Sequence, residues 1–162
     1  MKRLSVLFLV VIMVLGSFAV FAEEVKPEMY EGYRGKASDL ELMMDGQPLE
    51  LQSFLISYWE GQGDDAYERM MYVFKLRDVA AALKDTDAKF NIVYNKEDNS
   101  VDIISGEDYE PIESDLKFVD IENATIKEST QVIRVNGKET TLKGIDINGH
   151  NYFRMSVIRN NV

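Results

Sequence analysis

Met71-Tyr72-Val73-Phe74-Lys75-Leu76-Arg77-Asp78-Val79-Ala80-Ala81-Ala82-Leu83 changes periodicity in mid-course. Met71 and Val73 alternate with Tyr72 and Phe74, the period-two signature of a strand. From Leu76 the spacing becomes helical: Leu76, Val79, Ala80 and Leu83 fall at i, i+3, i+4 and i+7 on one face. The alanines add helix propensity, and Asp78 stands in the first turn, where the helix dipole favours a carboxylate. So short a helix is not stable alone in water. It must lay Leu76, Val79 and Leu83 on neighbouring strands.

Those strands are legible on both sides. Upstream, Leu40, Leu42 and Met44 alternate with Glu41 and Met43, Asp45-Gly46 marks a tight turn, and Leu49 and Leu51 resume the alternation. Downstream, Phe90, Ile92 and Tyr94 form one strand, residues 95–100 supply turn chemistry, and Val101 and Ile103 form its partner. Residues 107–129 read as an acidic connector pinned by Leu116, Phe118, Val119 and Ile121.

The last part of the chain repeats the first. Val135-Asn136-Gly137-Lys138-Glu139-Thr140-Thr141-Leu142 aligns with Met44-Asp45-Gly46-Gln47-Pro48-Leu49-Glu50-Leu51, and Phe153-Arg154-Met155 aligns with Phe74-Lys75-Leu76. The second copy has Asn148-Gly149 where the first has a longer loop, and Ser156-Val157 where the first has Arg77-Asp78. The expectation is a partial second repeat, residues 130–162, without its helix.

The N-terminus carries an address. Met1-Lys2-Arg3 precedes a nearly uninterrupted apolar run, and Val20-Phe21-Ala22 has the small-residue exit of a secretory signal peptide. An uncleaved membrane anchor is the alternative, and the only route to a membrane. Residues 23–39 read as a flexible tether, with Tyr30 and Tyr33 as sticky points. The absence of cysteine rules out a disulfide framework and fits an exported bacterial protein. The formal charge of the full chain is −10, and loss of Lys2 and Arg3 makes it two units more negative. Such a surface repels nucleic acid and anionic lipid.

Phe74-Lys75-Leu76-Arg77-Asp78-Val79-Ala80-Ala81-Ala82-Leu83, the Asn136-Gly137 turn, the run from Ile147 to Phe153 and the hairpin from Phe90 to Ile104 resemble the copper amine oxidase N-terminal-like domain of exported bacterial proteins. The resemblance covers residues 40–106 as one unit and part of a second from residue 130 on. It implies a non-catalytic envelope module, with Leu76, Arg77 and Asp78 as a structural motif. It implies no copper site.

The residues offer little for catalysis. His150 is the only histidine, so a His/Cys zinc or copper site is excluded, and beside Asn148-Gly149 it reads as an exposed turn residue. A serine or cysteine nucleophile would need a base within reach. Asp64-Asp65 and Asp85-Thr86-Asp87 read first as solvated loops, with loose calcium binding as the alternative and no metal or cofactor assigned. A carboxylate-pair glycosidase would need a cleft larger than this unit suggests. Recognition points instead to the acidic, glycine-broken segment 57–69, with Tyr58, Trp59 and Tyr67 as contact residues.

The expected fold is therefore α+β: a small antiparallel hairpin sheet with one short helix on a face and a partial second set of strands. The expected function is a secreted or cell-envelope binding module, not an enzyme, whose partner is a wall component or an envelope protein. The alternative is an assembly role, in which apolar strand surface around Ile145, Ile147, Tyr152, Phe153 and Val157 is covered by a partner or a second copy.

Overall fold

A computed structural model of the chain describes residues 31–44 and 46–161. The signal segment, residues 23–30 of the presumed tether, Asp45 and Val162 lie outside the described residues. Twelve strands and two short α-helices follow one another: β1 (Tyr33–Ser38), β2 (Leu42–Met44), β3 (Gln47–Leu49), β4 (Ser53–Glu60), β5 (Tyr67–Lys75), α1 (Leu76–Leu83), β6 (Phe90–Asn95), β7 (Ser100–Ser105), β8 (Ile126–Glu128), β9 (Val132–Val135), β10 (Lys138–Glu139), β11 (Ile145–Ile147), β12 (His150–Phe153) and α2 (Met155–Asn161). A single 3-10 turn, Gly63–Asp65, sits in the β4–β5 loop.

The architecture is mostly β, which corrects the α+β expectation: strand takes 44% and helix 13%. Two strands hidden in presumed linkers make the difference. β1 occupies what reads as a tether, and β8 lies in the acidic connector. They form the outer members of a six-stranded antiparallel sheet, β1-β4-β5-β12-β11-β8, which curls until its edges nearly meet. Gly35 permits that approach. A Cβ on it would lie 2.6 Å from Ile126 Cδ1 and 2.8 Å from Ile121 Cγ1. A second sheet, β10-β9-β7-β6, and the hairpin β2–β3 complete the set.

The second repeat is more complete than the sequence suggests. Met155–Asn161 is a helix, entered directly from β12 as α1 is from β5. It survives without alanine because Ile158 is buried and Met155 and Val157 pack on the same core. Each copy thus runs strand, small hairpin, large hairpin, helix: β1, β2–β3, β4–β5, α1 against β8, β9–β10, β11–β12, α2. Ladder pairs place the copies in step. Ser38 pairs with Ser53 as the Ser129 amide bonds the Gly144 carbonyl, and Phe54 pairs with Val73 as Ile145 pairs with Tyr152.

The copies meet at β5 and β12, where Phe74 pairs with its own equivalent, Phe153. Antiparallel pairing of equivalent residues is the mark of a local two-fold axis. Two cores lie on either side of this seam. Inside the curled sheet, Phe54, Ile56, Val73, Ile121, Ile145, Ile147 and Tyr152 pack together. Outside it, Phe74 and Phe153 lie under α1, α2 and the second sheet, with Leu76, Val79, Phe90, Ile92 and Ile133. Ile145, Ile147, Tyr152 and Phe153 are all buried, so the expected open apolar surface at those residues does not exist.

Between the copies, β6–β7 is inserted. β7 runs parallel to β9, pairing Val101 with Ile133 and Asp102 with Arg134, and so fastens the first unit to the hairpin of the second.

Candidate functional site

The three aromatic residues singled out by sequence lie on the long β4–β5 arm, but on two different faces. Ladder partners of β4 and β5 are Tyr58 with Arg69, Trp59 with Glu68, and Glu60 with Tyr67. Side chains alternate along a strand. Tyr58 and Tyr67 therefore share the inner face with Glu60 and Arg69, and Trp59 lies on the outer face. The adjacency of Tyr58 and Trp59 on a strand was already enough to separate them.

The inner face opens as a cleft at the mouth of the curled sheet. Its volume is about 510 Å³, and its rim carries Tyr33, Tyr58, Glu60, Glu128 and Lys143. Tyr33 and Tyr58 are ladder partners whose rings stand 5.3 Å apart at 49°. Burial, then the charge of Glu128, pushes the Tyr33 hydroxyl above its ordinary pKa, with Lys143 opposing. Tyr33 therefore stays a neutral donor at physiological pH.

Two ion pairs flank the rings. Arg69 Nε donates to Glu60 Oε2 at 2.6 Å, the Tyr67 hydroxyl donates to the same oxygen at 3.1 Å, and Arg69 Nη2 donates to the Tyr67 hydroxyl at 2.9 Å. The Arg69 guanidinium also lies 4.9 Å from the Tyr67 ring centroid. Hydrogen bonds from Arg69 and then Tyr67 hold the Glu60 carboxyl below its usual range, which makes it a poor proton donor near neutrality. Across the mouth, Lys143 Nζ lies 2.6 Å from Glu128 Oε1. The result is an aromatic wall between two mutually neutralised charge pairs, suited to a ligand with flat apolar faces and hydroxyl or amide edges.

The Leu76-Arg77-Asp78 motif lies elsewhere, at the strand–helix junction. Leu76 is in the outer core. Asp78 is buried and pairs with Lys75, Nζ to Oδ1 at 3.2 Å, while accepting the Leu116 amide at 2.9 Å. Lys75 also donates to the Ser114 carbonyl at 2.5 Å. Arg77 donates to the Tyr109 hydroxyl at 3.2 Å and to the Ile92 carbonyl at 3.3 Å. These contacts tie the connector and β6 to α1. The role of Lys75, a cation buried between Phe74 and Leu76, was missed from sequence. Its acidic partner at i+3 was the available signal.

His150 opens β12 and is half-buried, not an exposed turn residue. Burial, then the nearby charge of Lys75, lowers its pKa. Among the described residues no three His, Cys, Asp or Glu side chains converge as metal ligands, and no helix is long and apolar enough to cross a membrane. Compared with family models, curated proteins and solved structures, the chain matches none.

Proposed function

We propose that the protein is a non-catalytic module, secreted or held at the bacterial cell envelope, that binds a cell-wall component at the mouth of the curled sheet. The Tyr33–Tyr58 ring pair at the rim of the cleft carries this reading. Paired tyrosine rings provide large contact area at small entropic cost, and the flanking pairs Glu60–Arg69 and Glu128–Lys143 offer polar edges without net charge. The export signature of residues 1–22 and the resemblance to copper amine oxidase N-terminal-like domains point the same way. The acidic surface argues against nucleic acid as the partner.

Titration of the exported chain with purified cell-wall fragments, followed by calorimetry, tests the proposal. Saturable binding should weaken at least about tenfold in Tyr58→Ala and in Tyr33→Ala, as expected for aromatic contacts worth more than about 1 kcal/mol. Trp59→Phe should leave it unchanged. Absence of saturable binding, or loss only in the Trp59 variant, contradicts the reading.

An assembly role remains the second reading. The observation favouring it is a row of exposed large apolar side chains, Leu40, Met43, Met70 and Tyr72, on the other face of the molecule.

A further inference from the structure

The internal two-fold shows what belongs on that apolar row. In the second copy, the groove between β9, β12 and α1 is roofed by the inserted hairpin: Ile92, Tyr94 and Val101 line it together with Leu76, His150 and Asn151. The two-fold carries this groove onto one between β2, β5 and α2. There, Leu40, Leu42, Met70, Tyr72 and Met155 line an open trough of about 310 Å³. Among the described residues, β2 pairs only with β3, so its other edge is free. Ile133 is fully buried beneath β7, but its equivalent Leu42 is only partly buried.

The open groove is also the more apolar of the two. Position by position, Leu40 stands for Gln131, Met43 for Arg134, Met70 for Gly149 and Tyr72 for Asn151. Met43 and Arg134 each lie two residues before their turn, and each pairs across its hairpin, with Pro48 and Glu139. Yet Met70 is 64% exposed and Tyr72 47%, so these larger side chains do not fill the trough themselves, and Met43, on the other face of β2 from Leu42, is 59% exposed beside it. In the roofed copy, Arg134 is met by acids: Asp98 at 2.7 Å and Asp102 at 4.0 Å. Met43 calls for an apolar residue at the corresponding place.

The geometry points to an acceptor site for a β-hairpin of a partner polypeptide, added parallel to β2 as β7 is added to β9. The entering strand carries apolar side chains toward Leu42 and, unlike β7, an apolar residue opposite Met43. Strand addition satisfies the free backbone edge and covers the apolar row in one step. The mismatch between Asp102 and Met43 disfavours the hairpin of a second copy as the occupant. This site does not depend on the barrel mouth, and the two can fail separately.

The test supplies the roof in cis. Residues 84–106, carrying Asp102→Val, are appended after Val162 of the full chain, so that they follow α2 as the native segment follows α1. The high effective concentration removes the weakness of a free hairpin as a probe. Amide exchange at Leu42–Met44 should slow at least about 100-fold. The melting temperature should rise by about 4 °C. Both gains should vanish with Met43→Asp, a change at an exposed position. Unchanged exchange in the extended chain overturns the proposal. Sedimentation of the unextended chain adds a second check. A monomer is expected, and a concentration-dependent dimer abolished by Met43→Asp would give the groove to a second copy and overturn the choice of partner.

Discussion

The two halves of the molecule share one plan and use it differently. In the first, β4 and β5 extend to eight and nine residues and carry the aromatic arm; in the second, β11 and β12 keep only three and four. In the second, the groove beside the helix is roofed by β6–β7; in the first, it is open. The shared parts are the buried ones: Phe74 with Phe153, Leu76 with Met155, Val79 with Ile158. Divergence is widest at the arm and the groove, and it enters the interior at one junction, where the buried Lys75–Asp78 pair of the first copy has Arg154 and Val157 as its counterparts. The repeat is clearest at the seam, and the two copies differ most in the arm and the groove.

The sharpest way to break this comparison is at its axis. Phe74→Ala and Phe153→Ala each remove a fully buried ring from the same outer core and should cost about 3–5 kcal/mol each by denaturant unfolding. A difference larger than about 2 kcal/mol between them would mean that the seam is not shared equally. Slightly smaller is the effect expected at the junction that only the first copy has. Asp78→Ala strands the buried Lys75 ammonium and should cost about 3–4 kcal/mol. A combined Lys75→Met and Asp78→Leu change should recover much of that loss.

The helices should differ in a predictable direction. Leu76→Ala should cost about 2–4 kcal/mol, and Met155→Ala, beside the open groove and only partly buried, about 1–2 kcal/mol. Equal costs would show that α2 is packed as tightly as α1.

His150 gives the comparison a pH dependence. Its folded pKa is lowered, so the folded state holds its proton less well than the unfolded chain. Its contribution to stability is complete above the unfolded value of about 6.5 and is lost as pH falls from there through the folded value. A decline in stability just below pH of about 6.5 that disappears in His150→Gln is expected, because no other histidine is present. The smallest effect is at Arg134. Arg134→Met imitates the first copy at a solvent-screened ion pair and should leave the denaturation midpoint almost unchanged.

Much of this plan was legible in the residues, and the failures have local causes. The change of period at Leu76, the hairpin pattern and the pairing of Phe74-Lys75-Leu76 with Phe153-Arg154-Met155 are all strong signals, and each corresponds to an element of the fold. β1 was hidden because its alternation rests on small residues: Gly35 and Ala37 mark no clear apolar face against Arg34, Lys36 and Ser38, and Gly35 is there for the seam. α2 was hidden because Ser156 and Val157 are weak helix formers, and tertiary burial of Ile158 overrides them. The inner site was half visible. Tyr58 and Tyr67 were found as loop aromatics, but Tyr33 joins them only through the β1–β4 ladder. Trp59 drew attention as the sole tryptophan and faces the other way. The groove was invisible, since only the roof over its twin reveals it.

Native-state amide exchange tests the central claim, that one copy is roofed and its equivalent is not. Val132–Val135 lies inside a sheet between β7 and β10, whereas among the described residues Leu42–Met44 pairs only with β3. The account predicts exchange at Leu42–Met44 at least about 100-fold faster than at Val132–Val135. Equal protection of the two strands would contradict it.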